Sequence, residues 1–346
     1  MVGIVIRELN VPNNQRPTVI LLAAGAGTRM KSETPKVLHE ICGRSLVGHV
    51  INAAQQLEPA NLVAVVRHQR EKVASHIATI APEAIIADQD DIPGTGRAVW
   101  CGMQVLPEDL TGPVLVTAAD TPLLDGDTLQ ALLEAHGDNA VTILTTYVPD
   151  PTGYGRIVRD DKGIISSIVE HKDALPEQLL IDEINSSIYV FDAELLRATL
   201  GGLDTDNAQG EMYLTDVVEA AYRQGSPIGS YTADRMIVEG VNDQVQLANL
   251  RQILNRRTLV AAMRSGVTVE DPDSTWVDVQ VTFEPDSRIL PGSYLTGTTS
   301  IATGAQVGPH VRLHNVRVEK DSRVAFADLS DASTTASANE TKDEQK

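Results

Sequence analysis

Short apolar segments alternate with amphipathic segments over residues 18–150 of the chain. The apolar segments predict strands at 18–23, 62–66, 83–88, 113–118 and 140–147. The amphipathic segments predict helices near 45–57, 69–80, 95–105 and 125–136. This alternation is typical of a doubly wound, Rossmann-like α/β fold, in which helices cover both faces of a parallel sheet. Ligands of such folds bind at the carboxyl ends of the strands.

The pattern is less regular over residues 151–240. Short apolar segments there, broken by turns and two helices, predict strands near 156–159, 164–169, 184–191 and 227–232. We interpret this region as an insertion or lid that completes a ligand site. A long helix without glycine or proline is predicted next, over about 243–265.

Apolar residues recur every six positions beyond this helix. They are Val277, Phe283, Ile289, Leu295, Ile301, Val307 and Leu313. A period of six fits neither a helix nor an ordinary strand, but it is typical of a hexapeptide β-helix, here of about two to three coils. The register breaks at Glu319, and the residues from Ser330 onward have no apolar pattern, so we expect them to be disordered.

These patterns predict five consecutive regions. They are an N-terminal extension (1–16), an α/β domain (17–242), a linker helix (243–266), a short β-helix (267–326) and a disordered tail (327–346).

Composition narrows the range of partners. The formal net charge of −19 argues against nucleic acid or an anionic membrane as the main partner. The two cysteines, Cys42 and Cys101, do not form a disulfide framework, and we interpret them as reduced residues in or near the core. No secretory signal and no apolar run of about 18 residues is present, so we expect a soluble cytoplasmic protein.

The segment from Leu22 to Met30 carries the clearest chemistry. It follows the first predicted strand, and its two glycines, Gly25 and Gly27, let backbone N–H groups approach a ligand closely. The cations Arg29 and Lys36 follow, and together these features favour a polyphosphate. The dinucleotide-binding signature requires a third glycine where this chain has methionine, and the P-loop requires Lys-Ser/Thr where it has Thr-Arg.

The segment from Gly94 to Gly96 has two interpretations. It can be a simple helix start in which Thr95 is the cap. It can also be a second backbone patch, which contacts a nucleotide base together with the side chain of Gln89.

Two further residues are candidates for a metal site. Asp120 ends a predicted strand and is either a turn former or a ligand of Mg²⁺ at the ligand edge of the sheet. Asn242 precedes the long helix, and its residue type alone predicts only an N-cap.

Three polar motifs lie in the irregular region, and they contain Gly155, Glu170 and Asn185. Each motif can be a solvated turn. Carboxylate and amide side chains also suit the hydroxyl groups of a sugar, for which Glu170 and Asn185 are candidates.

Taken together, the motifs resemble a known family. Leu22–Met30 with Pro35-Lys36 is similar to the signature of sugar-phosphate nucleotidyltransferases. The narrower combination of Asp150–Ile157, Val169–Asp173, Glu183–Asn185, Asn207–Glu211 and Val238–Asp243 resembles the bacterial N-acetylglucosamine-1-phosphate uridylyltransferase/glucosamine-1-phosphate acetyltransferase family, GlmU. This resemblance runs from about residue 17 to about 325 and is most specific over 17–265.

The resemblance implies a fold, substrates and roles. It implies a nucleotidyltransferase domain followed by a left-handed β-helix, with UTP and N-acetylglucosamine-1-phosphate as substrates, Mg²⁺ as cofactor and a place in peptidoglycan synthesis. The implied residues are Leu22, Ala23, Ala24, Gly25, Gln89, Gly94 and Thr95 for uridine, Arg29 and Lys36 for the phosphates, Asp120 and Asn242 for Mg²⁺, and Gly155, Glu170 and Asn185 for the sugar or ribose.

Two departures from the family pattern leave alternatives open. Ala119 stands before Asp120 where the family usually has glycine, and the short β-helix lacks the positions that match the acetyltransferase site. We therefore expect no acetyltransferase activity, and the homotrimer that relatives form through the β-helix is an open expectation. The alternatives are a non-catalytic protein that binds nucleotide-sugars and a nucleotidyltransferase for another sugar phosphate or base.

Overall fold

A computed structural model describes residues 16–334 of the chain. It contains two compact units, of which the first combines the described residues up to Leu38 with Leu46–Asn242. The second combines His39–Ser45 with the described residues from Asp243 onward. The predicted N-terminal extension lies almost entirely outside the described residues, as does the end of the predicted tail.

The first unit is built on one nine-stranded sheet. Its strands, in chain order, are β1 (Thr18–Ala23), β2 (Asn61–Val66), β3 (Ile85–Asp88), β4 (Pro113–Ala118), β5 (Val141–Tyr147), β6 (Arg156–Arg159), β7 (Ile165–Val169), β8 (Glu183–Asp192) and β9 (Ile228–Thr232).

The main strands follow the order β9-β5-β8-β4-β1-β2-β3. Strand β1 is parallel to both neighbours, with Thr18 opposite Asn61 in β2 and Val114 in β4. Strand β8 lies between β4 and β5 and is antiparallel to both. The five strands predicted over 18–150, β1 to β5, therefore all run in one direction, which confirms the predicted parallel arrangement, and β8 is an antiparallel strand inserted among them.

The region predicted as an insertion is also part of this sheet. Strands β8 and β9 lie within the main strand order, and only the hairpin of β6 and β7 lies off it, joined to β8. The interpretation of the whole region as an insertion or lid is therefore wrong.

Helices cover both faces of the sheet. They are α1 (Leu46–Gln55), α2 (Arg70–Ile80), α3 (Thr95–Gln104), α4 (Gly126–His136), α5 (Ala193–Leu200), α6 (Asp216–Arg223) and α7 (Arg235–Val238). Neighbouring residues of a strand point to opposite faces, so Ile20 enters one buried cluster while Val19 and Leu21 enter the other. Burial on both faces explains why the central strands are apolar without alternation.

The second unit begins with helix α8 (Gln244–Arg264). Asp243 caps it, because its side chain accepts a hydrogen bond from Gln246 N at 2.8 Å, so the prediction that Asn242 is the N-cap is wrong. Buried Asn255 joins the helix to the next segment. Its Nδ2 donates to Thr275 O at 2.8 Å, and its Oδ1 accepts from Val277 N at 2.9 Å. A hairpin of Glu40–Ile41 and Arg44–Ser45 also belongs to this unit.

A short β-helix completes the second unit, as three parallel sheets of four strands each. The strands are Thr268–Val269, Arg288–Ile289, Gln306–Val307 and Arg323–Val324 in one sheet, Trp276–Val277, Ser293–Thr296, Val311–His314 and Asp328–Ser330 in the next, and Thr282–Phe283, Ser300–Ile301, Arg317–Val318 and Ser333–Thr334 in the last. The predicted two to three coils are thus too few.

The extra coil was hidden by a shift in register. Ser300 pairs with Thr282, 18 residues earlier, but with Arg317 only 17 residues later. The inward row therefore continues at Val318 and Val324, both buried. The first residues of the predicted disordered tail form strands, so that prediction is wrong up to residue 334.

Candidate functional site

The loop after β1 is held against the neighbouring loop of the sheet. Ala119 N donates to Leu22 O at 3.1 Å, which joins this loop to the end of β4. A Cβ built on Gly25 would meet no atom of the described residues within 4 Å, so Gly25 borders open space. Gly27 is left-handed, with φ 60°, and a Cβ there would lie 2.5 Å from the Cβ of Lys36.

Two cationic side chains and two side chains that offer an oxygen atom lie together at the carboxyl edge of the sheet. Lys36 Nζ forms an ion pair with Asp120 Oδ2, and both side chains are about five-sixths buried. Arg29 Nη2 donates to Asn242 Oδ1 at 2.8 Å. Val241 N donates to Asp120 O at 3.0 Å, which places Asn242 beside the Asp120 loop. The structure thus brings together the four residues that the resemblance assigned to phosphate and metal.

The donor set at this edge suits a hard cation. Asp120 offers a carboxylate and Asn242 an amide oxygen, and Mg²⁺ usually binds one or two such protein ligands while phosphate and water complete its shell. Within residues 16–334 no group of three or more His, Cys, Asp or Glu side chains forms an alternative metal site. The residues present therefore fit Mg²⁺.

The candidate base-binding residues lie in a loop at 89–95 that is held by hydrogen bonds and close packing. Gln89 Nε2 donates to Ile92 O at 3.0 Å and to Gly94 O at 3.2 Å. Gly94 has φ 119° and lies directly against the backbone of Met212, where a Cβ would clash. The hydroxyl of Thr95 accepts a hydrogen bond from Leu214 N at 3.2 Å.

The interpretation of Thr95 as the helix cap is wrong. Helix α3 begins at Thr95, its cap position is Gly94, and no side chain caps it. Both residues instead join the loop at 89–95 to the segment at 212–214, a long-range contact that the residue pattern does not indicate.

The three candidate sugar residues form a second group. Asn185 N donates to Gly155 O at 2.9 Å. A Cβ built on Gly155 would lie 3.5 Å from both Asn185 Cβ and Glu170 Oε1. Because β8 runs antiparallel to β4 with Tyr189 opposite Val116, its first residues lie at the carboxyl edge of β4, where Asp120 follows.

Burial governs the charge state of this group. Burial raises the pKa of Glu170 above its usual value, and the nearby carboxylates of Asp173, Asp216 and Glu211 raise it further, while Thr215 Oγ1, 3.5 Å away, opposes this shift. Burial also raises the pKa of Asp216 to about 6. Glu170 is therefore protonated more easily than an exposed glutamate.

Sequence reasoning missed several residues that support this group. Tyr213 donates from its hydroxyl to Asp173 Oδ2 at 3.2 Å and accepts from Gln209 Nε2 at 2.8 Å. Burial raises the pKa of Tyr213 to about 12. The polar Asn207–Glu211 motif was the available signal, because Tyr213 follows it by two residues.

Arg156 was also missed, although it is only 1% exposed. Its guanidinium bonds the carbonyl of Tyr154 and lies 3.3 Å from His171 Nδ1. It thereby joins the segment around Gly155 to the residue that follows Glu170. The signal was an arginine directly before the apolar pair Ile157-Val158, since a cation that such a strand carries into the core requires polar partners.

The chain is similar to known proteins in its first unit and over most of its length. Residues 19–166 match the profile of MobA-like NTP transferase domains, so the first unit contains a nucleotidyltransferase domain. The chain is 54% identical over 320 residues to the bifunctional protein GlmU of Pseudarthrobacter chlorophenolicus, an alignment that covers 91% of this chain and 65% of the relative. The bifunctional protein GlmU of Streptomyces coelicolor is 54% identical over 310 residues, with 88% and 64% covered.

The alignment with a third relative covers a slightly larger share of both chains. The bifunctional protein GlmU of Micrococcus luteus is 51% identical over 340 residues, which cover 94% of this chain and 68% of the relative. The chain belongs to the GlmU family, and it spans about two thirds of the length of these relatives. Among residues 16–334, no helix is long and apolar enough to cross a bilayer.

Proposed function

We propose that the chain transfers a uridylyl group from UTP to N-acetylglucosamine-1-phosphate, which gives UDP-N-acetylglucosamine and pyrophosphate. The observation that carries this proposal is the cluster in which Lys36 meets Asp120 and Arg29 meets Asn242. The cluster lies at the carboxyl edge of the sheet, directly beside the glycine loop. This arrangement suits a reaction between two phosphate groups.

The chemistry requires charge neutralisation above all. An oxygen of the sugar phosphate attacks the α-phosphorus of UTP, and the bond to pyrophosphate breaks. Both reactants are anions, so positive charge and in-line positioning supply the main catalytic effect. No general base is required, because the attacking oxygen is already ionised.

Each part of the site has a role in this proposal. Lys36 and Arg29 stabilise the negative charge that develops on the departing phosphates. The backbone of Leu22, Ala23, Ala24 and Gly25 holds the uridine from one side, and Gln89, Gly94 and Thr95 hold it from the other. The loop at 89–95 is held by its own hydrogen bonds, so it would present its polar groups to uracil in one arrangement.

Asp120 and Asn242 would hold Mg²⁺. When bound, the metal would neutralise phosphate oxygens and so reduce the repulsion between the two anionic substrates. Both side-chain oxygens also lie against a cation, Lys36 or Arg29, which keeps the metal ligands and the phosphate-binding charges in one group.

Gly155, Glu170 and Asn185 form the proposed site for the sugar or the ribose. Gly155 packs closely between the other two, since a Cβ built on it would lie 3.1 Å from Ile168 Cγ2 and 3.5 Å from both Asn185 Cβ and Glu170 Oε1. Glu170 and Asn185 offer directional polar groups beside this glycine.

The test is a pyrophosphate-release assay with UTP, N-acetylglucosamine-1-phosphate and Mg²⁺. We expect release that depends on all three, whereas no release would overturn the proposal. A panel with TTP and glucose-1-phosphate separates the alternative of a different base or sugar. Binding of UDP-N-acetylglucosamine without turnover would favour the non-catalytic alternative.

The absence of acetyltransferase activity stays a prediction. Acetyl-CoA and glucosamine-1-phosphate, supplied to the same preparation, test it directly through the release of free CoA. The homotrimer implied by the resemblance likewise stays an expectation, which sedimentation of the purified protein tests.

A further inference from the structure

We propose that Tyr189 is a positioning residue, which fixes the Asn185 carboxamide and thereby tunes recognition of the sugar phosphate. The inference rests on the function proposed above, in which Asn185 contacts the sugar. Tyr189 follows the sugar motif by four positions, and its hydroxyl reaches back to that motif.

Two hydrogen bonds determine how the carboxamide is turned. Asn185 Nδ2 donates to the hydroxyl of Tyr189 at 2.6 Å, and Asn185 Oδ1 accepts from Ser187 N at 3.1 Å. Ser187 N can only donate, so it determines which end of the carboxamide is Oδ1, and the Tyr189 hydroxyl then holds the Nδ2 end in place. A flipped carboxamide would turn its own N–H groups toward Ser187 N and lose that bond. Asn185 itself is 5% exposed, which makes such a loss costly.

A bulge in β8 makes this contact geometrically feasible. Residues four apart on a regular strand are separated by about 13 Å, too far for their side chains to bond. The pairing of β8 with β5 is irregular between Asn185 and Tyr189, and Ser187 adopts a left-handed conformation with φ 62°. Bulges redirect side chains in this way, often beside functional sites.

Tyr189 is a rigid support for this bond. It is 2% exposed, and its ring stacks on Phe191 with centroids 5.3 Å apart. Burial raises the pKa of Tyr189 well above its usual value, so the phenol stays protonated and neutral. A neutral hydroxyl held in the core gives Asn185 a fixed partner whether or not substrate is bound.

The orientation has a consequence for specificity. The nitrogen of Asn185 carries two hydrogens, and Tyr189 accepts one of them. We therefore expect Asn185 to present the other hydrogen to the ligand, so its partner on the sugar is an acceptor, either a hydroxyl oxygen or the carbonyl of an N-acetyl group.

The primary test is the variant Tyr189→Phe, which keeps the ring and removes only the hydroxyl. The variant removes the hydrogen bond between Asn185 and Tyr189, which joins two neutral groups and is of ordinary strength. The KM for N-acetylglucosamine-1-phosphate should therefore rise about five- to tenfold. The KM for UTP should stay at the wild-type value, and kcat should change much less than the sugar KM. An unchanged sugar KM, or equal changes for both substrates, would overturn the proposal.

A double-mutant cycle separates positioning from general support of the core. In a chain that already carries Asn185→Ala, Tyr189→Phe should have no further effect on the sugar KM. If the two effects simply multiply, Tyr189 acts by another route and the inference is wrong.

The matched control is Tyr222→Phe, since Tyr222 donates from its hydroxyl to Asp160 Oδ2 at 3.0 Å outside the candidate site. This variant should leave both KM values unchanged. A wild-type protein that releases no pyrophosphate contradicts the proposed function itself, whereas an active wild type with an unaffected Tyr189→Phe contradicts only the role of Tyr189.

Discussion

Gly27 and Lys36 lie in direct contact, since a Cβ built on Gly27 would be 2.5 Å from the Cβ of Lys36. The glycine loop and the cation that follows it are therefore one packed unit. Gly27 also has φ 60°, a conformation that costs a residue with a side chain about 1–2 kcal/mol. The position of Lys36 thus depends on the absence of a side chain nine residues earlier.

The variant Gly27→Ala should displace Lys36 from Asp120. A misplacement of about 1 Å near the reacting groups reduces catalysis about 10²-fold, and we expect a loss of that order in kcat/KM for UTP. Steady-state kinetics measure this effect. Gly202→Ala is the matched control, because a Cβ at Gly202 meets its nearest neighbour, Thr199 O, at an ordinary 3.7 Å. Wild-type kinetics for Gly27→Ala would contradict the contact.

The variant Asp120→Asn should weaken the response to Mg²⁺. It removes the charge of the proposed metal ligand and of the ion pair with Lys36, so turnover should fall about 10²–10³-fold. A titration of activity against Mg²⁺ should show a higher half-saturating concentration. The control is Asp91→Asn, an exposed residue that pairs with Arg67 at 3.6 Å. An unchanged half-saturation in Asp120→Asn would remove Asp120 from the metal site.

The variant Asn255→Ala should destabilise the second unit. It leaves the buried backbone groups of Thr275 and Val277 without their bonds to Asn255, which costs about 2–4 kcal/mol in the free energy of unfolding. Chemical denaturation followed by circular dichroism measures this loss. Gln252→Ala, an exposed position on the same helix, should be neutral. Equal stability of the two variants would contradict the role of Asn255.

The carboxyl of Asp216 should make stability depend on pH. Burial raises its pKa to about 6 in the folded chain, so the folded state binds its proton more tightly than the unfolded state. Its contribution is therefore favourable at low pH and is lost as the pH rises through about 6. Asp216→Asn should raise the free energy of unfolding at pH 7 and have little effect at pH 4.

The comparison for Asp216 is Asp127→Asn. Both residues lie in the first turn of a helix, α6 for Asp216 and α4 for Asp127, but Asp127 is exposed. Denaturation at the two pH values should show a gain only for Asp216→Asn. A gain of the same size at pH 4 would show that burial of the charge is not its cause.

The sequence was sufficient to predict the strands and helices, but not to predict which strands pair and in which direction. The strands around Thr18–Ala23 were predicted closely because buried parallel strands are unbroken apolar runs. The antiparallel direction of β8 was not predictable, since an apolar run is the same whichever neighbour it joins. The six-residue repeat of the β-helix is also shifted by one residue at Arg317, which pairs with Ser300. This shift is visible only in the backbone pairing, and it hid the later coils from the sequence pattern.

The candidate site was predictable where chemistry lies in a local motif. Arg29, Lys36 and Asp120 each belong to such a motif, and the structure brings them together with Asn242. Asn242 and Asp243 are neighbours of equal capping ability, so only the hydrogen bond from Gln246 N to Asp243 separates their roles. The support that Tyr189 gives to Asn185 depends on a bulge, which the residue pattern does not indicate.

The most direct test of the account is the fate of the α-phosphorus of UTP. The purified chain would be incubated with UTP labelled at that atom, N-acetylglucosamine-1-phosphate and Mg²⁺, and the products separated. The account predicts that the label appears in UDP-N-acetylglucosamine, with one pyrophosphate released for each labelled product. Label that remains in UTP, or that appears only in UMP, would contradict it.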